Sequence, residues 1–274
     1  MENGLYELLN DPTVANYLYS VMFALPRLII LVSIASVFGP AVTMAIRFPL
    51  AASIMLPILP FLAFQGQANH ITEYHYMTIA MLAIKEIFLG FVLGFVSNVF
   101  FAAATSGGMI VDNQRGASQA QGQDLILDEQ NSPFGSVLML TLITIFYSTG
   151  AVIGYIGLIM MSYVFWPVTE FFPAIYSADL VNFAGFCVNS VMSYALVLCA
   201  PFMLVALMTD ISLGLINRFA PQLNVFILSM PIKSGLCSVL ILLFVQPYME
   251  IGNVYLDRMY SLVNNLLKLI SPVY

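Results

Sequence analysis

Charge is the scarcest ingredient of this sequence. Of 274 residues only 8 are Lys or Arg and 14 are Asp or Glu, 8% in all, where soluble domains carry about a quarter. With 61% of the chain hydrophobic, too little polar surface remains to coat a water-soluble fold. Basic runs are missing as well, so nothing in the charge pattern recruits nucleic acid or anionic lipid. The net charge of −6 comes from scattered acids such as Asp11, Asp124, Asp128, Glu129 and Asp179. No Lys or Arg precedes Arg27, so the start lacks the basic region of a cleavable signal peptide and is expected to be retained. Cysteine is almost absent: Cys187, Cys199 and Cys237 are odd in number, lie in apolar segments and have no Cys-x-x-Cys spacing. That excludes a disulfide framework or structural zinc site and makes them small core residues.

Catalytic signatures are missing too. The two histidines, His70 and His75, flank Glu73 five positions apart. The inverted zinc motif needs a spacing of four to share a helical face, and five places the rings about 140° apart. There is no nucleophile elbow, P-loop or dinucleotide fingerprint, and no pair of acids within one apolar segment. Neither an enzyme nor a cofactor is expected.

What the sequence has is length without charge. The runs 28–46, 48–72, 87–111, 130–169 and 180–209 contain no Asp, Glu, Lys or Arg, and each reaches about the 20 residues that a helix needs to cross a bilayer. Six helices are predicted, near residues 14–38, 42–64, 77–105, 134–164, 181–215 and 224–245. Gly39-Pro40, Ser106-Gly107-Gly108, Trp166-Pro167 and the turn Arg218 to Pro221 punctuate them, and the sixth is expected to end before Pro247. Residues 251–270 alternate in helical fashion and read as an amphipathic helix at the membrane interface. Pro26, Pro49, Pro57, Pro60, Pro201 and Pro231 fall inside the helical stretches. Each removes a backbone donor and kinks its helix, so an all-α membrane protein of bent, packed helices is expected rather than an upright bundle.

Charges inside the apolar runs demand compensation, since Arg, Lys or Asp at a bilayer centre costs about 2.5–3.5 kcal/mol on insertion scales. Arg27, Arg47, Lys85, Glu86, Asp210 and Lys233 are in this position. They either snorkel toward headgroups or face other subunits or water rather than lipid. Neighbours Lys85 and Glu86 point about 100° apart, so each seeks a partner elsewhere, which favours an assembly over a monomer. Gly90 with Gly94, and Gly150 with Gly154 and Gly157, form small-residue faces suited to close helix contact within or between chains.

The segment from 106 to 133 divides the chain into a single membrane domain's two parts, 1–133 and 134–274. Residues 116–123 read Gly-Ala-Ser-Gln-Ala-Gln-Gly-Gln between very apolar neighbours. Two readings fit this composition. One is a solvated loop; the other is a polar segment at membrane depth, allowed where it is buried in protein or lines an aqueous path.

Several blocks resemble a known family. They are Val111 to Ala117 (Val-Asp-Asn-Gln-Arg-Gly-Ala), Asn217 to Phe226 (Asn-Arg-Phe-Ala-Pro-Gln-Leu-Asn-Val-Phe) and Pro231 to Gly235 (Pro-Ile-Lys-Ser-Gly). The run Lys85 to Gly94 and the pair Trp166-Pro167 are also similar. Together they resemble the export-apparatus family called FliR in flagella and SctT, SpaR or YscT in injectisomes, over essentially the whole chain. The Asn-Gln-Arg-Gly form of the first block is closer to the injectisome branch. Residues 121–130 depart from the family pattern, lacking its Asp-Pro.

The resemblance implies a subunit of the type III protein-secretion export gate in the bacterial inner membrane, with its helices arranged as tilted hairpins. The implied companions are FliP/SctR-type, FliQ/SctS-type and FlhB/SctU-type subunits and an SctV-type export channel. Membrane lipid and unfolded secretion substrates in transit complete the set, and no nucleic acid is involved. Gly107, Gly108, Asp112, Asn113, Gln114, Arg115 and Gly116 would belong to a pore plug loop. Lys85, Glu86, Gly90, Gly94, Arg218, Pro221, Gln222, Asn224 and Lys233 would serve assembly or intramembrane charge. The rival reading from residues alone is a secondary transporter of a small solute, motivated by broken helices and buried charge. It predicts an inverted repeat between the two halves, and none is evident.

Overall fold

The computed structural model describes residues 12–39, 42–68, 76–116, 132–170, 177–220, 222 and 224–270. The N-terminus, His70, His75, the polar stretch 117–131 and Pro221 lie outside the described residues. Among the described residues the architecture is all helical. The helices are α1 (Pro12–Ile34), α2 (Met44–Met55), α3 (Leu59–Ala68), α4 (Tyr76–Gln114), α5 (Pro133–Ser148), α6 (Ala151–Phe165), α7 (Ser177–Phe219) and α8 (Val225–Ile270). Five helical stretches are long and apolar enough to cross a membrane, or six if the broken pair α5 and α6 is one span.

Proline and glycine explain most departures from the predicted boundaries. The second predicted helix is α2 and α3 joined by a 3₁₀ turn, Leu56–Ile58, with Pro57 in its first positions. Pro60 follows at the start of α3, where a missing N–H costs nothing. The fourth predicted helix breaks at Gly150, whose φ of 72° is left-handed and open to glycine at no steric cost. Pro247, by contrast, does not end the last helix: α8 runs through it for 46 residues. With no water to claim the freed carbonyl, neighbouring structure holds such a helix together.

The third predicted helix also continues past its expected stop. Ser106, Gly107 and Gly108 are helical, and α4 extends to Gln114. Gly costs about 1 kcal/mol relative to Ala in a helix, but here the missing side chains admit other backbones. A Cβ on Gly108 would overlap the backbone of Gly135, and one on Gly107 would lie 3.0 Å from the Ala195 carbonyl.

Two compact units are assembled from separated stretches of chain, cutting across the 1–133 and 134–274 parts. The first comprises Met1–Asn98, Gly150–Gly185 and Arg258–Tyr274; the second comprises Val99–Thr149 and Phe186–Asp257. In the first unit α1 packs against α2 and α3. Gly90 of α4 meets the Arg27 backbone and Gly94 meets Leu31 and Ile34, so this small-residue pair seats α4 on α1. The end of α8 belongs here as well. Its residues Met259, Leu262, Val263, Leu266 and Leu267 are buried, and the Tyr260 hydroxyl donates to the Ala151 carbonyl. One face of the amphipathic tail is thus buried against protein and the other is exposed, as its apolar stripe requires.

In the second unit aromatic contacts fill the interior. Phe134 meets Phe202 edge-on at 4.8 Å, and Phe101 meets Phe146 at 6.2 Å. Cys199 and Cys237 are buried and free here, as is Cys187, in keeping with their reading as small core residues.

Candidate functional site

Two charged clusters stand out, one in each unit. In the second unit the cluster grows from the last turns of α4. The helix ends conventionally: Gly116 takes a left-handed φ of 80°, its N–H donates to the Asn113 carbonyl at 3.2 Å, and its bare Cα faces Met230. Glycine at that position lets the chain leave the helix without strain. One turn earlier the buried Asp112 carboxylate collects four donors. Arg115 reaches Oδ1 through Nε at 2.7 Å and Nη2 at 2.6 Å. The Phe134 amide and the Ser132 hydroxyl donate to Oδ2, the former at 3.0 Å. Ser132 is also the N-cap of α5, accepting from the Gly135 amide at 2.9 Å, with Pro133 at the first helical position.

Arg115 reaches farther. Its guanidinium lies 5.6 Å from the centre of the Phe134 ring and donates to Ser234 Oγ at 3.3 Å. Next to Ser234, Lys233 of α8 pairs with Asp210 of α7 at 2.6 Å and donates to the Gln114 carbonyl at 3.3 Å, capping the end of α4. A continuous chain of ionic hydrogen bonds thus joins α4, α5, α7 and α8. Of its two ion pairs, Arg115–Asp112 is the more buried and the more costly to break, because the other charge is left without compensation, whereas Asp210 is 41% exposed and solvent screens its pair with Lys233.

In the first unit the centre is Arg27, fully buried in α1. It donates to both Glu86 oxygens at 2.6 and 2.9 Å, to Ser162 Oγ at 3.2 Å and to the Trp166 carbonyl at 3.1 Å. Its guanidinium also lies 4.1 Å from the centre of the Tyr163 ring. Lys85 Nζ sits 2.9 Å from Glu86 Oε1 and donates to the carbonyls of Pro167, Val168 and Glu170 at 2.8–3.1 Å. Pro167 supplies the turn that exposes those carbonyls, and the indole N–H of Trp166 closes it onto Glu170 at 3.1 Å. Arg47 plays a simpler part, tying the carbonyls of Ser33 and Val42 at the connection after α1.

These contacts correct one expectation. Lys85, Glu86, Arg27, Asp210 and Lys233 find their partners inside this chain, so their presence in apolar segments is no argument for an assembly. Opposite charges on different helices can meet at low cost only when both leave lipid together, and the tertiary fold provides that meeting. A second correction concerns Gly107, Gly108, Asp112, Asn113 and Gln114, which are helical rather than part of a loop. The structure joins Gln114, Arg115 and Gly116 with α8 and Asp112 with Ser132 and Phe134 at the start of α5, while Asn113 is exposed. Gly154 packs on Tyr260, whereas nothing lies within 4 Å of a Cβ on Gly157.

Arg218 is exposed in the last turn of α7 and Gln222 is exposed in the following turn. Asn224 caps α8 through its side chain, accepting from the Ile227 amide at 3.4 Å. These residues join neither cluster. Sequence reasoning missed Ser132, Phe134, Tyr163 and Ser234. The one usable signal was Ser-Pro ahead of an apolar run, a helix start at Ser132. Among the described residues no group of three His, Cys, Asp or Glu is placed to hold a metal ion.

Residues 18–259 match the family described as bacterial export proteins, family 1. The chain is 39% identical to Yop proteins translocation protein T of Yersinia pestis over 228 residues, covering 83% of this chain and 84% of that one. It is 31% identical to surface presentation of antigens protein SpaR of Salmonella typhimurium over 175 residues, 63% of this chain and 64% of that one. Flagellar biosynthetic protein FliR of Bacillus subtilis is more distant, at 26% over 200 residues, 73% and 76% of the two chains.

Proposed function

Because this chain belongs to family 1 of the bacterial export proteins, we propose that it is a multi-pass inner-membrane subunit of a type III secretion export apparatus, on the injectisome side of the family. It works without catalysis, as part of a closed passage for unfolded secreted proteins. FliP/SctR-type, FliQ/SctS-type and FlhB/SctU-type subunits complete the passage, and an SctV-type channel adjoins it. Residues 116–123, polar and rich in Gly and Gln, obstruct the passage at rest.

The observation that carries this reading is the ionic chain at the end of α4. Its Asp112 carboxylate bonds residues on both sides of the polar stretch, Arg115 before it and Ser132 and Phe134 after it. A polar stretch of Gly, Ala, Ser and Gln next to spanning helices is admissible where it is enclosed by protein or bounds an aqueous path.

The test is to delete residues 116–123 in cells carrying the whole apparatus and follow potassium efflux. A faster leak with the apparatus still assembled is the expected result. An unchanged leak together with normal secretion removes the obstruction role.

A further inference from the structure

We infer that the turn after α6 carries a binding site for a primary ammonium, which the unaltered chain fills with its own Lys85. With that side chain removed, the site takes a small free ammonium, such as methylammonium, in its place. The inference stands on contacts within the first unit and does not depend on the functional reading above.

The surroundings of Lys85 have the composition of an ammonium receptor rather than of a simple ion pair. Nζ lies 3.1, 2.8 and 2.9 Å from the carbonyl oxygens of Pro167, Val168 and Glu170, and 2.9 Å from Glu86 Oε1. A lysine ammonium is all donor and no acceptor, so this ring of oxygens saturates it. The Trp166 ring closes a further side, 5.7 Å from Nζ, and an aromatic face attracts a cation at that range. Charge points the same way. Glu86 already meets Arg27 through both of its oxygens, so Lys85 is the second cation on one carboxylate and relies on backbone dipoles for the rest.

The oxygens do not owe their positions to Lys85. The Glu170 amide donates to the Pro167 carbonyl at 3.2 Å and the Trp166 indole N–H to the Glu170 carbonyl at 3.1 Å, so the turn is closed by its own bonds. The Trp166 amide donates to the Ser162 carbonyl at 3.1 Å, and the Trp166 carbonyl accepts from Arg27 at 3.1 Å. Glu86 is fixed by Arg27. A site whose groups are already placed gives up little freedom when a ligand enters. Loss of Lys85 therefore leaves the oxygens in position while Arg27 and Glu86 still neutralise each other. The Lys85 side chain is 7% exposed, so the space it vacates reaches the surface and has a way in.

Lys85→Ala is the informative substitution, because it removes both the ammonium and the stem and makes room for a small cation. Lys85→Met removes the charge but keeps the bulk of the stem, so it leaves the space filled. In the unaltered chain a short stem on a helix presents the ammonium at an effective concentration far above that of any free amine. Added ammonium then has nothing to occupy.

The experiment follows thermal unfolding of the purified full chain in detergent, with methylammonium, tetramethylammonium or sodium chloride added at equal concentration. Lys85→Ala is expected to unfold about 5 °C below the unaltered chain, the size that follows from losing hydrogen bonds to a charged group. Methylammonium should raise that midpoint by about 3 °C for each tenfold increase in concentration beyond half-saturation. Tetramethylammonium, which has no N–H, and sodium should leave it unchanged, and neither Lys85→Met nor the unaltered chain should respond to methylammonium. Recovery of Lys85→Ala with all three salts alike, with none of them, or equally in Lys85→Met overturns the site. If Lys85→Ala does not fold, acetylation of the folded, unaltered chain by acetic anhydride decides. Slower modification of Lys85 than of the exposed Lys268 supports the site, and equal rates overturn it.

Discussion

At the scale of single residues, burial of charge dominates. Arg27 and Glu86 are fully buried and bonded in two places, so each is stable only while the other is present. Glu86→Ala is expected to destabilise the protein by about 3–5 kcal/mol through the orphaned guanidinium. Thermal unfolding in detergent should show the loss, and a midpoint equal to that of the unaltered chain would contradict it. Replacing Arg27, Lys85 and Glu86 together with apolar residues of similar size should cost less, since Lys85 also pairs with Glu86 and only the triple change leaves no uncompensated charge behind. The sequence announced that these charges needed partners but not which ones. Glu86 lies 59 positions from Arg27, and only the approach of α4 to α1 at Gly90 brings them together.

Glycine offers a matched comparison at the same scale. A Cβ at Gly90 would collide with the Arg27 carbonyl, whereas one at Gly157 meets nothing within 4 Å. Gly90→Ala should therefore destabilise by about 1–3 kcal/mol from overpacking against backbone. Gly157→Ala should stabilise by up to about 1 kcal/mol, because alanine is the better helix former. Both follow from the same unfolding measurement. The sequence presented the two as equivalent small residues, and what separates them is the presence of a facing backbone.

At the scale of elements, the long helices are the clearest finding. The 39 residues of α4, 43 of α7 and 46 of α8 correspond to about 58, 64 and 69 Å at 1.5 Å per residue, against a hydrocarbon core of about 30 Å. Helices of that length either tilt strongly or extend beyond the hydrocarbon, and their exposed apolar faces then need protein cover. Periodicity could not reveal these lengths, because Gly107, Gly108 and Pro247 look like stops. They act as stops in water and not where backbone hydrogen bonds have no competitor.

Gly150 is the opposite case, a break that looked like packing. Its left-handed φ of 72° predicts that Gly150→Ala costs about 1–2 kcal/mol, and Gly150→Asn less, since Asn visits that region more readily. Equal unfolding midpoints for the Ala and Asn variants would contradict this assignment of the turn.

At the scale of the whole molecule, the exposed apolar surface is what points outward. Large hydrophobic side chains such as Phe186, Met192, Leu204, Leu242 and Leu243 are more than half exposed, and the apolar window of α8 is only 11% buried within the chain. Lipid covers part of such a surface, and family membership adds companion subunits as the cover for the rest. Co-expression with the neighbouring membrane genes followed by native mass spectrometry is expected to give a hetero-oligomer containing this chain and two kinds of small membrane subunit. A stable monomer or homodimer indifferent to those genes would overturn the assembly.

The amino-acid sequence by itself determined the class of this protein. Sparse charge and repeated uncharged runs leave a helical membrane protein as the outcome, because only internally bonded helices satisfy the backbone in lipid, and the blocks around Asp112, Arg218 and Lys233 mark the export family. Only the tertiary structure decided which charges meet, where helices continue through glycine and proline, and that Asp112 binds both sides of the polar stretch. Those outcomes depend on contacts between residues 20 to 139 positions apart, and local pattern carries no information about distances across space.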